Sequence, residues 1–244
     1  MIRLDNVKKS YGDHQAVKGL SLEIAPNQVF GFLGPNGAGK TTSIKMLTGI
    51  MPPSSGEIYI DGCSLVQNPI HCKTITGYVP DRPYVYEKLK AWEFVEFILD
   101  LYQNNNKNSQ DLAHYYFELF KIDDAKYKII EDFSHGMKQK LVILSSLLHR
   151  PKLLVIDEPM VGLDPRGAKT LKKLFRDLAD SGTTIFLSTH TMAVAQEVCD
   201  NIAIINKGNI VAQGTMDELR QGQDHSLEQL FLQITEEELL EQGS

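Results

Sequence analysis

Runs of apolar residues recur along the chain and predict buried β-strands. Residues 29–33, 153–156 and 184–188 are the clearest examples, because apolar side chains make up most or all of each run. Such runs are typical of strands in the middle of a parallel sheet, where both faces are covered. Shorter apolar segments predict further strands at residues 2–8, 20–25, 75–79, 202–205 and 210–212.

Glycine-containing pairs separate several of these segments and predict turns. Asp61-Gly62 lies between apolar residues within 57–65, which predicts a β-hairpin. Lys207-Gly208 predicts a second hairpin near the end of the strand pattern. Tyr11-Gly12-Asp13 predicts a turn between the first two strands.

A helical spacing of apolar residues replaces the strand pattern in the middle of the chain. Three sets of four residues each occupy positions i, i+3, i+4 and i+7 along the chain. This spacing predicts three amphipathic helices, which together would form a helical insert over residues 85–150. A covering helix is predicted around 171–178. Two capping boxes, Thr215…Glu218 and Ser226…Gln229, predict two short helices near the end. The three sets are Phe94, Phe97, Ile98 and Leu101; Leu112, Tyr115, Tyr116 and Leu119; and Leu141, Leu144, Ser145 and Leu148.

A glycine-rich segment between a predicted strand and a predicted helix is the strongest chemical signal. Its spacing is G-x-x-x-x-G-K-T, and in this context its backbone N–H groups form a cradle for phosphates. Lys40 would reach the β- and γ-phosphates, and the Thr41 hydroxyl would bind Mg²⁺. The alternative is a glycine-rich turn with a chance lysine. The segment consists of Gly34, Pro35, Asn36, Gly37, Ala38, Gly39, Lys40, Thr41 and Thr42.

Polar residues follow two of the buried strands. Asp157 and Glu158 come after the strand at 153–156, and His190 follows the strand at 184–188. Ligands bind at the carboxyl ends of parallel strands, so we expect Asp157 to bind Mg²⁺ and Glu158 to activate the attacking water. Two solvated acids at a strand end, and a hydrogen-bonded structural histidine, are the alternatives.

Composition narrows the class of protein. The net charge of −6 argues against a dedicated nucleic-acid surface. Three cysteines without a C-x-x-C pair suggest neither disulfides nor zinc, and favour the cytosol. The first residues lack the apolar core of a signal peptide, and no apolar run approaches the length of a membrane span. Any role at a membrane therefore requires a partner.

Together these segments resemble the nucleotide-binding subunit of ATP-binding cassette (ABC) transporters over essentially the whole chain. Tyr11 lies where the family has an aromatic residue that stacks on adenine. Residues 34–42 match Walker A and 153–158 match Walker B. The remaining matches are the signature segment at 133–137, the D-loop at 162–165 and the switch histidine at His190.

The resemblance implies a site that one chain does not complete. Two cassettes would pair head to tail, with ATP between Walker A of one and the signature segment of the other. Ser134 and the backbone of Gly136 would then contact the γ-phosphate of ATP on the partner. Asp81 lies where the family usually has a glutamine near Mg²⁺, and we expect it to bind the metal. The alternative is that Asp81 is an ordinary surface aspartate. His135 and Met137 also depart from the usual signature.

The resemblance also implies the fold. We expect an α/β protein: a P-loop NTPase core with a mixed parallel sheet, an N-terminal antiparallel β subdomain and an inserted α-helical subdomain. The core and antiparallel subdomain would span residues 1–84 and 151–214. The helical signature subdomain would span 85–150, and a C-terminal helical tail would span 215–244.

The expected function is an ATPase subunit that powers a separate exporter. Residues 77–89, 133–140 and 226–231 are similar to cassettes of ABC-2-type exporters. The cofactors would be ATP and Mg²⁺. The partners would be a transmembrane permease subunit and a second cassette, identical or different, with no nucleic acid. The location would be the cytoplasmic face of the membrane. A soluble ABC-type ATPase and a regulator that does not hydrolyse ATP are the alternatives. Tyr84, Val85, Tyr86 and Trp92 would line a groove for a helix of the permease, or would be ordinary core residues.

Overall fold

The computed structural model describes residues 1–221, and these contain two β-sheets and eight α-helices. The strands are β1 (Ile2–Tyr11), β2 (His14–Ile24), β3 (Val29–Leu33), β4 (Ser55–Ile60), β5 (Cys63–Ser64), β6 (Thr76–Val79), β7 (Leu153–Asp157), β8 (Thr184–Thr189), β9 (Asn201–Asn206) and β10 (Asn209–Thr215). The helices are α1 (Lys40–Leu47), α2 (Pro69–Thr74), α3 (Ala91–Leu101), α4 (Lys107–Leu119), α5 (His135–Leu147), α6 (Pro165–Asp180), α7 (Met192–Val198) and α8 (Met216–Gln221). No helix within these 221 residues is both long and apolar enough to span a bilayer.

A six-stranded sheet forms the centre of the molecule. Its strand order is β10-β9-β3-β8-β7-β6, and every neighbouring pair except β10–β9 is parallel. Every residue of β3, β7 and β8 is buried, which explains why these strands have no polar alternation. The parallel strands end at one edge of the sheet, and the candidate site lies at this edge.

A four-stranded antiparallel sheet covers one face of the central sheet. Its order is β2-β1-β4-β5, with the predicted hairpin turn at Asp61-Gly62 between β4 and β5. Apolar residues of both sheets and of α1, such as Ile2, Phe32 and Ile44, form one continuous cluster. This arrangement confirms the α/β class with an antiparallel subdomain. Tyr11 ends β1, and Gly12 and Asp13 alone form the turn.

Helices cover the opposite face. The cluster there joins the sheet to α3, α4, α5 and α6, and a smaller cluster joins it to α7 and α8. We predicted one amphipathic face for α5, and this was wrong: seven consecutive residues, 141–147, are buried. Residues 141–147 lie between the sheet and the neighbouring helices, so this part of α5 has no solvent-facing side, whereas His135 in its first turn is exposed.

Local signals set the helix ends. Ser134 caps the N-terminus of α5, where its Oγ accepts a hydrogen bond from Met137 N (3.3 Å). Asp164 caps α6 in the same way by accepting from Gly167 N (3.3 Å). Thr215 and Glu218 form the predicted capping box of α8. The second predicted box, Ser226…Gln229, lies outside the described residues. The short helices α2 and α7 were not predicted.

Candidate nucleotide-binding site

The glycine-rich loop at 34–42 joins β3 to α1 at the carboxyl edge of the central sheet. Gly39 has φ = 108°, and a Cβ there would lie 2.7 Å from the carbonyl oxygen of Ala16, so only glycine fits this close approach. Gly208 N donates to Ala38 O (2.9 Å) and ties the loop to the β9–β10 turn. The loop is therefore fixed from both sides, and its backbone meets the start of α1.

Lys40 is the first residue of α1 and is only 6% exposed. Its ammonium donates to the carbonyl oxygens of Gly34 (2.6 Å) and Pro35 (2.9 Å), across the loop that carries it. A buried cation needs such partners, because desolvation without them is costly. The lysine is thereby held against the loop that would hold the phosphates.

Asp157 is the most buried acid of the site, with 1% exposure at the end of β7. Thr41 Oγ1 donates to one carboxylate oxygen at 3.0 Å, and Ser188 Oγ donates to the other. The structure thus brings together two of the three predicted magnesium ligands, Thr41 and Asp157. Ser188 was not predicted to contact Asp157, although its register opposite Asp157 on β8 places it there.

Glu158 and His190 form a pair beside Asp157. His190 Nδ1 lies 2.8 Å from Glu158 Oε1. Glu158 adopts φ = 51°, a left-handed conformation that is uncommon outside glycine and concentrates at functional sites. Its side chain is 17% exposed and that of His190 is 52% exposed. The carboxylate therefore faces the site, and the imidazole contacts it from the solvent side.

A cavity of about 370 Å³ connects these groups. Tyr11 lines it from the antiparallel sheet, and His14 and Ala16 on β2 join it without having been predicted. Gly34, Ala38 and His190 do not line it: the first two are buried, and the histidine acts through Glu158. The lining residues are Tyr11, His14, Ala16, Pro35, Asn36, Gly37, Gly39, Lys40, Thr41, Thr42, Asp81, Asp157 and Glu158.

Asp81 follows β6 and lines the same cavity. Its Oδ1 accepts a hydrogen bond from the backbone N–H of Arg82 (2.8 Å), so the carboxylate folds over the adjacent peptide. Burial, together with the charges of Asp157 and Asp81, raises the pKa of Tyr78 far above its usual range. The Tyr78 phenol therefore stays neutral behind the site.

The cavity suits a magnesium ion shared with a ligand. Within residues 1–221, no three Asp, Glu, His or Cys side chains form a metal-binding group. One hydroxyl and one buried carboxylate 3.0 Å apart are hard oxygen donors. Mg²⁺ needs only one or two protein ligands when phosphates and water complete its shell. Thr41 and Asp157 fit this ion, and Asp81 is the remaining acid at the cavity with Glu158.

Ser134 and Gly136 do not line this cavity. They lie at the start of α5, against the D-loop of the same chain. A Cβ on Gly136 would lie 2.6 Å from the carbonyl oxygen of Gly162. Gly162 has φ = 79°, and a Cβ there would lie 2.3 Å from the Nδ1 of His135. The signature segment and the D-loop therefore interlock, with the His135 ring against Gly162.

A groove of about 450 Å³ lies on another side of the helical region. Tyr84 is 77% exposed at its rim, and Ile98 and Val142 line it. Two predicted lining residues are used elsewhere: Trp92 stacks on His114 with ring centroids 4.3 Å apart, and Val85 packs on the core. Tyr86 is exposed and contacts Phe94 and Phe97 by its ring edges.

The strand–loop–helix of residues 29–47, placed at the carboxyl edge of the sheet, defines a P-loop protein of the nucleoside-triphosphate-binding class. A family model described as "ABC transporter" matches residues 17–161. The chain belongs to the ABC transporter family.

Individual relatives agree with this assignment. The ABC-type transporter ATP-binding protein EcsA of Bacillus subtilis (strain 168) is 31% identical over 241 residues, which cover 98% of each chain. The linearmycin resistance ATP-binding protein LnrL of the same organism is 35% identical over 219 residues, covering 90% of this chain and 70% of LnrL. A solved structure of the ATP-binding subunit of an ABC transporter matches with a TM-score of 0.90 at 29% identity, covering 96% and 99% of the two chains.

Proposed function

We propose that this chain is the ATP-binding and ATP-hydrolysing subunit of an ABC exporter. The observation that supports this most directly is the convergence on one cavity of the phosphate loop, the Thr41–Asp157 pair and Glu158. The family membership supports the same function. A cassette without a transporter is less favoured, because LnrL is named for resistance and EcsA for an ABC-type transporter.

Each part of the cavity has a role in this proposal. Tyr11 stacks on the adenine, and residues 34–42 hold the phosphates through backbone N–H groups and Lys40. Thr41 and Asp157 hold Mg²⁺, with Asp81 reaching it directly or through water. When bound, the metal neutralises charge that develops on the phosphates.

Glu158 acts on the attacking water. Its carboxylate lines the cavity one residue beyond the magnesium ligand, so it accepts the proton of a water positioned beside the γ-phosphate. His190 holds Glu158 in place through the 2.8 Å contact between its Nδ1 and Glu158 Oε1. The left-handed backbone at Glu158 fixes the direction of the carboxylate.

A second cassette completes the site. Ser134 and Gly136 lie outside the cavity of their own chain, so in this proposal they contact the nucleotide of a partner cassette, identical or different. The N-terminus of the 13-residue helix α5 adds a favourable field for the phosphates. Loss of the γ-phosphate weakens the interface between the two cassettes, so that they can separate. Hydrolysis is thereby coupled to a movement of one cassette relative to the other.

The membrane partner binds at the groove beside Tyr84. Aromatic and aliphatic side chains at a groove rim are typical of anchors for a partner helix. The chain is then held at the cytoplasmic face of the membrane by a permease subunit. We propose export as the direction because relatives include proteins named for daunorubicin resistance and Nod factor export.

The variant Glu158→Gln tests this proposal. It keeps the shape of the side chain but not its basicity, so ATP should still bind while hydrolysis falls by at least about a hundredfold. ATP should then trap a dimer, measured by size-exclusion chromatography with light scattering. Glu23→Gln, an exposed position on β2, should behave as the parent protein. Normal turnover by Glu158→Gln would reject the assigned base.

A further inference from the structure

A cavity of about 600 Å³ lies outside the nucleotide site, between α4 and α6 and beside the start of α5. Apolar side chains and cations share its lining. Tyr115, Leu119, Phe120 and Leu174 supply apolar surface. The charged residues are Lys121, Lys140, Arg166, Lys169 and Lys173 against Asp164 and Asp177.

The charge of this cavity is unbalanced within the described structure. Lys140 Nζ lies 3.8 Å from a carboxylate oxygen of Asp164, the residue that caps the N-terminus of α6. The other four cations form no ion pair with an acid of residues 1–221. Cations this close raise the local positive potential and favour an anionic occupant. The apolar lining favours an occupant that also carries apolar side chains, which a free inorganic anion does not.

Residues 222–244 have the opposite composition. They contain six acids and no lysine or arginine, whereas the first 221 residues carry all 25 cations and the other 25 acids. The whole net charge of −6 therefore resides in these 23 residues. Leu227, Leu230, Phe231 and Ile234 follow the i, i+3, i+4, i+7 spacing, and Glu236, Glu237 and Glu238 come directly after them. This one segment thus carries both the apolar side chains and the negative charges that suit the lining of the cavity.

The described chain ends on the same side of the central sheet as the cavity. Met216 and Leu219 of α8 pack with Met192 and Ala195 of α7. The segment of α7 is joined to α6 by ion pairs, including Arg176–Asp200 (3.0 Å). Because α8 packs on α7 and α7 contacts α6, spacings of about 8–10 Å between neighbouring helices place α8 roughly 20–30 Å from the cavity-lining side of α6. Twenty-three residues span up to about 75 Å when extended, so they reach the cavity.

We propose that the acidic segment 222–244 binds the cavity between α4 and α6 of its own chain. Its apolar residues pack on Tyr115 and Leu119, and its carboxylates pair with Lys169, Lys173 and the neighbouring cations. A bound carboxylate near Lys140 competes with Asp164 for the lysine ammonium. Binding of the segment would therefore change an ion pair of the D-loop. The proposal does not depend on nucleotide binding and goes beyond the proposed function.

Limited proteolysis of the full chain tests it. Chymotrypsin cleaves after Phe231, and a docked segment is protected. The double variant Lys169→Glu/Lys173→Glu removes two attractions and adds two repulsions, so cleavage at Phe231 should accelerate about two- to thirtyfold. Adding Glu237→Lys/Glu238→Lys should restore protection. High salt should accelerate cleavage of the parent protein in the same way.

The control is Lys107→Glu/Lys128→Glu, which makes the same charge change at exposed positions outside the cavity. Chymotrypsin should cleave this control variant at the same rate as the parent protein. Equal cleavage in the cavity variant would overturn the proposal, and so would protection that grows with protein concentration, because the segment would then bind a second copy. Protection unchanged by the charge swap but lost on adding an organic phosphate such as AMP would also overturn it. ATP binding, measured in parallel, reports separately on the nucleotide site.

Discussion

Asp157 shows how a single residue can be both buried and ready to bind a metal. At 1% exposure its carboxylate has lost water, and the hydroxyls of Thr41 and Ser188 replace it. A carboxylate accepts up to four hydrogen bonds, so two hydroxyl donors leave lone pairs available. In the proposed site these lone pairs, together with those of the Thr41 hydroxyl oxygen, would be available to hold Mg²⁺.

Tyr11 gives a test of adenine stacking. Its ring lines the cavity, is 47% exposed, and its hydroxyl donates to Met51 Sδ (3.1 Å). Tyr11→Ala should weaken ATP affinity by about 1–3 kcal/mol, taking base stacking at nucleic-acid sites as a guide. Isothermal titration calorimetry measures the Kd. Tyr11→Phe keeps the ring and should bind within about threefold of the parent protein; an unaltered Kd in Tyr11→Ala would contradict stacking.

His149 gives a test of how the free energy of unfolding depends on pH. Burial lowers its pKa from 6.5 to about 4, so the folded protein keeps the ring neutral while the unfolded chain takes up a proton. The stability that the neutral ring contributes is complete above pH 6.5 and is lost as the pH falls towards 4. The His149 ring stacks on Tyr102 with ring centroids 3.9 Å apart. His149→Phe keeps a ring that can stack in the same way, and it should reduce the loss of unfolding free energy over this range by up to about 3 kcal/mol. Urea titrations at several pH values measure it; an unchanged pH slope would exclude this histidine as the cause.

At the scale of elements, the sequence predicted those parts whose signals are local. The apolar runs predicted β3, β7 and β8, and the glycine spacing predicted the loop before α1. The residues after β7 and β8 were correctly expected at one edge, because parallel strands end together. The contact of Ser188 with Asp157 depends on the register between β7 and β8, which no single segment encodes.

Other elements were misread or missed for physical reasons. Helix α5 was assigned one apolar face because only four positions were counted, yet Val142, Ile143 and Ser146 outside that set are also buried, and the Ser146 hydroxyl donates to the helix backbone. Hydroxyls satisfied in this way do not mark a solvent face. Helices α2 and α7 have six and seven residues, too few to show a period. His14 and Ala16 reach the cavity through the pairing of β2 with β1, which sequence does not reveal.

The interlock of the signature segment with the D-loop can be tested by a matched pair of glycines. Gly162 and Gly62 both have φ = 79°, but only at Gly162 would a Cβ meet another residue, the His135 ring. Both Gly→Ala variants should lose about 1–2 kcal/mol to backbone strain. Gly162→Ala should lose more, and its Tm should fall further by several degrees.

The same experiment has an internal control. His135→Ala combined with Gly162→Ala should return the thermal stability to the level of Gly62→Ala, because the contact is then gone. A double variant no more stable than Gly162→Ala would show that the ring does not limit the D-loop. Differential scanning calorimetry without nucleotide keeps this measurement independent of ATP.

At the scale of the whole molecule, the groove and the nucleotide cavity share the segment after β6 but no lining residue, and they should be separable by mutation. Tyr84 is exposed at the groove rim and absent from the nucleotide cavity. Tyr84→Glu should reduce co-purification of the membrane subunit from detergent extracts by at least about tenfold, with ATP affinity unchanged. Tyr127→Glu, at an exposed tyrosine that does not line the groove, should leave both unchanged. Equal recovery with Tyr84→Glu would move the docking surface elsewhere.

The complete burial of residues 141–147 in α5 has a mechanical consequence. The 13 residues of the helix extend about 20 Å. The first turn touches the D-loop at Gly162, while Val142, Ser145 and Ser146 near the other end line the groove. Because residues 141–147 are closely packed, we expect the helix to move as a rigid body, so that a shift of its first turn displaces its far end by a similar amount. In the proposed dimer, closure of the two cassettes would therefore shift the groove beside Tyr84, where we propose that the membrane partner binds.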